Sequence, residues 1–209
     1  MENPVLTLPY PWPPTDEARV AQALAQAQVM AYPTETAYAL GGNALAADLV
    51  KRIYQLKGRP ADKALPVLIG GMEMLEALVG KVPSEAQRLM AQFWPGPLTL
   101  VVRAGPHTPA HLMDARNTVA LRWSSSPVVA ALLALGGVPL LGTSANRSGQ
   151  PPLYQSRQVA QTFGNALALL IAHDPQPPQP PSTLVDTTTQ PPTLLRQGAL
   201  PWDSILEAL

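Results

Sequence analysis

No cysteine occurs anywhere in the 209-residue chain. Disulfides, thiol nucleophiles and thiolate metal sites are excluded together, although that absence does not decide the compartment. Charge is scarce too: 14 Lys and Arg stand against 14 Asp and Glu, a formal net charge of zero. Global electrostatics therefore gives no support for a nucleic-acid or acidic-membrane partner and leaves only a local basic patch to supply one. The three histidines, His107, His111 and His173, fall in expected loops without ligand spacing and read as solvated residues rather than a metal site. The common nucleotide signatures are missing: neither G-x-x-x-x-G-K-[ST] nor a strand-linked G-x-G-x-x-G is present, and GGNALAA satisfies neither. Long hydrophobic runs are missing as well. The longest, VVAALLALGGVPLLG, is broken by Gly136, Gly137 and Pro139 and reads as helix, turn and strand, not as a membrane span. The opening MENPVLTLPYPWPP has no basic n-region and no continuous apolar h-region, so it does not read as a signal peptide. These absences predict a soluble, cytoplasmic protein with no membrane partner.

Proline is what the chain has in excess, 25 residues, many of them clustered at the N-terminus and between residues 175 and 192. With 46% apolar residues, a core of real size is available, and the length suits one domain with a short extension. Residues 1–14 read as an extended Pro-rich arm and residues 15–209 as a single domain. TDEARVAQALAQA (15–27) places Val20, Leu24 and Ala27 at helical spacing behind acidic residues that favour a helix N-terminus. VMAYPT reads as a buried strand. Residues 46–57 read as a helix with Leu49, Ile53 and Leu56 on one face and Gly58 at its exit. LPVLIG (65–70) predicts a strand, MEMLEALV a short helix, and Ser84 with Gln87 a capping box opening a helix over 85–93. Strands are expected at LTLVVRA (98–104) and TVALRW (118–123), followed by helix PVVAALLAL, strand PLLGTSA, a helix over 155–163 and strand ALALLIA. Two short strands, TLVDT and PTLLRQ, and a last helical turn, SILEAL, complete the pattern. This alternation makes the fold class α/β. The segment HDPQPPQPPS (173–182) is extended by composition, either a connector or a stiff flap over a site.

Four stretches carry candidate chemistry, and a fifth reads as structural. In YQLKGRPADKALPVLIG, Lys57, Arg59 and Lys63 fall where a helix ends and a strand begins, and Gly58 and Pro60 break the helix there. Cations at a helix C-terminus complement the macrodipole; three in one kinked loop also suit a polyphosphate. In LLGTSANRSGQPP an apolar strand delivers Thr143, Ser144, Asn146, Ser148 and Gly149 into a turn, either an ordinary polar turn or a backbone nest for phosphate oxygens. Arg122 interrupts the apolar strand TVALRW, either snorkelling at a strand end or clamping a carboxylate with two hydrogen bonds. AYPTETAYALGG (31–42) gathers hydroxyls and one carboxylate where a strand runs out, as a turn or as one wall of a small-molecule site. FWPGPLTLVV is the structural one, a rigid turn shaping the sheet.

In sequence, YPTETAYALG, KGRPADKALPV, FWPGPLTLVV, VALRW, GTSANRSGQP, STLVD and LLRQG resemble the YrdC-like threonylcarbamoyl-AMP synthases of the single-domain, TsaC type, over nearly the whole chain beyond the first prolines. The resemblance implies a twisted, mostly mixed sheet with flanking helices around a concave basic cavity. It implies condensation of L-threonine, bicarbonate and ATP to threonylcarbamoyl-AMP and pyrophosphate, a nucleotidyltransferase step serving tRNA threonylcarbamoyladenosine modification. By resemblance, Thr34, Arg122 and Ser182 would bind threonine, while Lys57, Arg59, Lys63, Thr118, Ser144, Asn146 and Arg196 would bind ATP; no catalytic nucleophile is implied. Mg2+ is expected with ATP, and a tRNA or double-stranded RNA contact and downstream threonylcarbamoyl transferase proteins are the implied partners. The alternative is a noncatalytic paralogue of the same fold that binds double-stranded RNA or a nucleotide. The chain departs from the family pattern at Ala39, where a glycine is usual, at Ala64, where proline is usual, at Leu68, where a histidine is expected, and in the Pro-rich 175–181 segment.

Overall fold

The computed structural model describes residues 5–59, 64–174 and 179–209. Along the chain the strands are β1 (Thr7–Pro9), β2 (Met30–Pro33), β3 (Tyr38–Asn43), β4 (Val67–Leu68), β5 (Leu98–Arg103), β6 (Thr118–Arg122), β7 (Leu140–Ser144), β8 (Leu169–Ala172), β9 (Thr183–Asp186) and β10 (Thr193–Arg196). The helices are α1 (Pro14–Ala25), α2 (Ala47–Lys57), α3 (Met72–Leu78), α4 (Ser84–Phe93), α5 (Pro127–Gly136), α6 (Ser156–Phe163) and α7 (Trp202–Glu207). The described strands form one mixed sheet in the order β1-β8-β2-β3-β7-β4-β6-β5-β9-β10. β8 runs parallel to β1 and β2, β4 to β6, and β5 to β9, while the β2–β3, β3–β7, β7–β4, β6–β5 and β9–β10 pairs are antiparallel. This is the expected α/β class with a mixed sheet and flanking helices.

Helix ends follow from local chemistry. α2 buries Leu49, Val50, Ile53 and Lys57 along one face and stops at Gly58, whose left-handed φ of 59° costs a residue without Cβ little. α5 starts on Pro127, where the missing N–H is not needed, and stops at Gly137 in the same left-handed conformation.

Packing of the helices decides where the site can be. On one face of the sheet, α2, α4 and α6 cover Leu40, Val67, Leu100, Val119, Leu121, Leu141 and Val185. On the other, α1 and α5 cover Met30, Tyr32, Ala39, Leu68, Leu140 and Ile171. Because side chains alternate across a strand, Thr99, Ala120, Arg122 and Leu184 face the second side. No residue of β5, β6 or β9 belongs to the core packed by α1 and α5, so this half of the face stays open as a concavity.

Several elements differ from the sequence reading. The Pro-rich arm is not wholly separate from the domain: Thr7, Leu8 and Pro9 pair with Leu170, Ile171 and Ala172 as an edge strand, which Pro9 tolerates because an edge leaves N–H groups unpaired. β3 was not expected from Tyr-Ala-Leu-Gly-Gly-Asn, whose composition disfavours strands. Tertiary contact creates it: Tyr32 Oη donates to Leu141 O at 2.6 Å across Gly41, and a Cβ on Gly41 would lie 1.7 Å from that carbonyl oxygen. β4 contracts to two residues. The capping box does not form, because the α4 N-cap is Pro83 and Gln87 Nε2 instead donates to Val82 O.

Candidate active site

The concavity has a cavity volume of about 110 Å3. Its walls come from the β2–β3 loop, the end of α2, β4, β5, β6, β7 and the β9–β10 pair. Its floor is made of small and apolar residues: Ala39, Leu68, Ala120, Gly142 and Leu184.

The β2–β3 loop is held by Thr34, whose Oγ1 donates to Ala37 O at 2.7 Å and accepts the N–H groups of Thr36 and Ala37 at 3.2 Å each. Thr34 lines the cavity, but its hydroxyl is largely spent on shaping the turn. Thr36 Oγ1 accepts from Arg122 Nη1 at 3.3 Å. Arg122, at the end of β6, is only 6% exposed, so it is not snorkelling. Its Nε donates to Gly96 O at 3.1 Å, which gives the FWPGP turn a part in the site beyond shaping the sheet. Its Nη2 lies 2.6 Å from Glu35 Oε1. That contact is close but poorly aligned, so it is an ion pair without a well-formed hydrogen bond. Ser124 Oγ and the Ser125 N–H (3.1 Å) both donate to the Glu35 carboxylate. Burial pushes the Glu35 carboxyl up, but Arg122 and Ser124 outweigh it and hold the group below the ordinary carboxylate range.

At the end of α2, Lys57 is turned inward. Its Nζ donates to Ser144 O, to Asn146 O at 2.8 Å and to Asn146 Oδ1 at 3.2 Å, while the Ser148 N–H donates to Lys57 O at 2.8 Å. Burial, with the nearby Arg59 charge, brings the Lys57 ammonium down to about 8. Ser144 Oγ donates to Asn146 Oδ1 at 2.6 Å. Of the two readings of GTSANRSG, the nest of free amides is not formed at Ala145, Asn146, Ser148 and Gln150. Their N–H groups are spent on Tyr38 O, Ser144 O, Lys57 O and Arg147 O.

Opposite stand β9 and β10. The pairing shifts register between Leu194 and Arg196, and such a bulge re-aims a side chain. Arg196 Nη2 donates to Ser182 O at 2.8 Å and to Ser182 Oγ at 3.2 Å. Ser182 Oγ in turn shares a hydrogen bond of 2.7 Å with Thr99 Oγ1. Burial, then the charges of Arg122 and Arg59, depress the Arg196 guanidinium. The three guanidiniums therefore feel one another across the cavity, whose lining among the described residues contains no carboxylate. Such a concavity is suited to anionic groups.

Of the expected site residues, Thr34, Arg59, Arg122, Ser144, Ser182 and Arg196 come together in the lining. Lys57 and Asn146 are bonded to Ser144 but are not in the lining. Thr118 shares the strand face of Ala120 and Arg122 two residues further along, buried at 1% exposure and outside the lining. Lys63 lies outside the described residues, as does part of the Pro-rich segment. Thr36, Thr99, Gly142 and Leu184 were not singled out as ligand-facing, whereas Thr143, named with the turn after β7, does line the cavity; the period-2 alternation with Ala120 and Arg122 on a neighbouring strand was the available signal for Thr99. The departures at Ala39, Ala64 and Leu68 all lie in the lining. Ala39 has no positive φ and sits in β3, so the strand carries alanine there without backbone strain. Two histidines are bonded to backbone carbonyls rather than simply solvated: His111 Nε2 with Ala44 O at 2.9 Å and His173 Nδ1 with Tyr10 O at 3.2 Å. Among the described residues no cluster of His, Asp or Glu is placed to hold a metal, and no helix is long and apolar enough to cross a membrane.

The family model described as telomere recombination, which covers Sua5, YciO and YrdC proteins, matches residues 22–198. A threonylcarbamoyl-AMP synthase of Pyrococcus abyssi is 39% identical over 180 residues, covering 86% of this chain and 53% of the relative. One from Bacillus subtilis is 37% identical over 195 residues, covering 91% and 56%. The chain thus spans about half the length of these two relatives. The crystal structure of P. abyssi Sua5 complexed with L-threonine superposes with a TM-score of 0.91 at 35% identity, covering 99% of this chain and 61% of that one.

Proposed function

The chain belongs to the Sua5/YciO/YrdC family, and on that premise we propose that it condenses L-threonine, bicarbonate and ATP into threonylcarbamoyl-AMP and pyrophosphate. The observation that carries this reading is the cavity itself. Arg59, Arg122 and Arg196 bear on one concave space with an apolar floor, and the lining holds no carboxylate among the described residues. The solved relative bound to L-threonine supports the amino acid as one occupant.

In this reading Arg122 receives the threonine carboxylate, with Thr34 and Ser182 on the same side. Arg59, Arg196 and Ser144 face the ATP phosphates, and Lys57 and Asn146 shape the Ser144 turn behind them. The threonine amine forms a bond to the bicarbonate carbon and water leaves, giving a carbamate. A carbamate oxygen then bonds to the α-phosphorus as the bond to pyrophosphate breaks. Neither step needs a covalent nucleophile, so holding reactants in line and neutralising phosphate charge can supply most of the acceleration. The described residues do not fit a resident Mg2+; the ion would enter on the ATP phosphates with water completing its shell. The product would pass in the cytoplasm to a transferase acting on tRNA.

Pyrophosphate release from ATP, with threonine and bicarbonate omitted in turn, tests the proposal. Release that requires both supports it. ATP binding without release under any combination would overturn it in favour of a noncatalytic paralogue that binds a nucleotide or double-stranded RNA.

A further inference from the structure

We infer that Glu35 is a positioning residue for the amino-acid substrate: it holds the Arg122 guanidinium by its Nη2, from outside the cavity lining, so that the Nη1 edge meets the substrate carboxylate. The inference rests on the reading of the cavity as the threonine site.

A guanidinium buried to 6% exposure cannot shed its charge and needs a counter-charge. Glu35 supplies it at 2.6 Å. Glu35 is not in the cavity lining, whereas Arg122 is, so the carboxylate meets the cation away from the cavity wall. It is itself fixed by Ser124 Oγ and the Ser125 N–H. On another edge the guanidinium is tied by Nε to Gly96 O. Arg122 is therefore compensated in charge but not saturated in donors. Of its five N–H groups, Nε and one on Nη1 are used within the protein, at 3.1 and 3.3 Å; Nη2 is buried against Glu35 without an aligned hydrogen bond, and the second N–H of Nη1 is left over. A guanidinium with its charge balanced and an Nη1 donor spare can take up a substrate carboxylate.

This arrangement reverses the naive expectation. If net positive charge governed the subsite, removing the Glu35 charge would tighten carboxylate binding. If orientation governs it, removing that charge frees the guanidinium to rotate and weakens binding.

The test is calorimetric titration of L-threonine into wild type, Glu35→Gln, Glu35→Asp and Ser124→Ala, with ATP titrated into each as a check on the fold. For Glu35→Gln the expected result is a threonine Kd raised on the order of tenfold to a hundredfold, the scale of a misplaced binding group, with ATP affinity retained. Glu35→Asp keeps the charge and falls between wild type and Glu35→Gln. Ser124→Ala loosens the grip on Glu35 without touching Arg122 and weakens threonine binding to a smaller degree, which keeps the test open should Glu35→Gln not fold. Threonine binding unchanged or tightened in Glu35→Gln, or unchanged in Ser124→Ala, would overturn the inference. A wild-type protein that binds ATP but no L-threonine would remove the substrate reading and the inference with it, and that outcome is distinct from the first because wild type itself fails.

Discussion

Replacing Lys57 with methionine, a side chain of similar length without charge, separates two effects of pH that the wild-type protein combines. Lys57 is 3% exposed, and its ammonium meets only acceptors: Ser144 O, Asn146 O and Asn146 Oδ1. Burial, followed by the Arg59 charge, brings it from the ordinary 10.5 down to about 8. A lowered folded-state value means that between about 8 and 10.5 the unfolded chain holds this proton and the folded one does not. Stability contributed by this group therefore rises with pH across that window. The whole gap corresponds to about 3 kcal/mol, and about 2 kcal/mol of it is recovered between roughly pH 7 and 9.5. Nucleotide affinity should move the other way, because the neutral amine holds the Ser144–Asn146 turn less strongly than the ammonium does. Urea unfolding followed by tryptophan fluorescence, run on wild type and Lys57→Met from neutral to alkaline pH, isolates the contribution, since all other titrations cancel in the difference. The expected outcome is a difference that shifts in favour of wild type by about 2 kcal/mol, together with weaker ATP binding in wild type as pH rises and none of that pH dependence in the variant. Parallel stability curves for the two proteins would refute the reasoning.

Arg59→Ala should abolish pyrophosphate release while leaving the urea midpoint nearly unchanged, since the residue stands just past the end of α2 and is only half-buried; retained release would remove it from the phosphate side. A Cβ added by Gly142→Ala would lie 2.5 Å from Leu68 Cγ and Cδ1. Because Leu68 is buried and lines the cavity, the change should cost about 1–3 kcal/mol in urea unfolding and shrink the site, with Leu68→Ala in the same chain recovering both. Tyr38 Oη donates to Asp174 Oδ1 at 2.6 Å and accepts the His173 N–H at 3.0 Å. Burial raises the Asp174 carboxyl but the bonds from Tyr38 and Ser156 bring it below the ordinary 3.8. Its contribution is thus present above that value and is lost as pH falls through the lower folded value. Tyr38→Phe should accordingly lower stability by about 1 kcal/mol at neutral pH and by less in acid; an equal loss at both would exclude the charged partner.

Much of the fold was legible because its signals are local. Apolar spacing marked α1, α2 and α5, glycines at 58 and 137 marked two helix ends, and apolar runs marked β2, β5, β6 and β7. β1 and β3 were not legible, since each exists through pairing with a distant strand: β1 with β8, and β3 with β7 across a close approach that only Gly41 allows. The capping box read from Ser84 and Gln87 lost to Pro83, whose fixed φ took the N-cap position.

For the site, the sequence by itself determined the residue types and their order: cations after α2, a hydroxyl-rich turn after β7, an arginine ending β6 and another ending β10. Those follow from what each short stretch contains. Only the tertiary structure decided what each group does with its donors. It turned Lys57 inward onto residues 87 and 89 positions away, spent the Thr34 hydroxyl on its own turn, and set Glu35 against Arg122. It also decided where the cavity is, by packing α1 and α5 over one half of a sheet face and leaving the other half bare. A hydrogen-bond partner and an uncovered surface are properties of segments far apart in the chain, and no local pattern contains them.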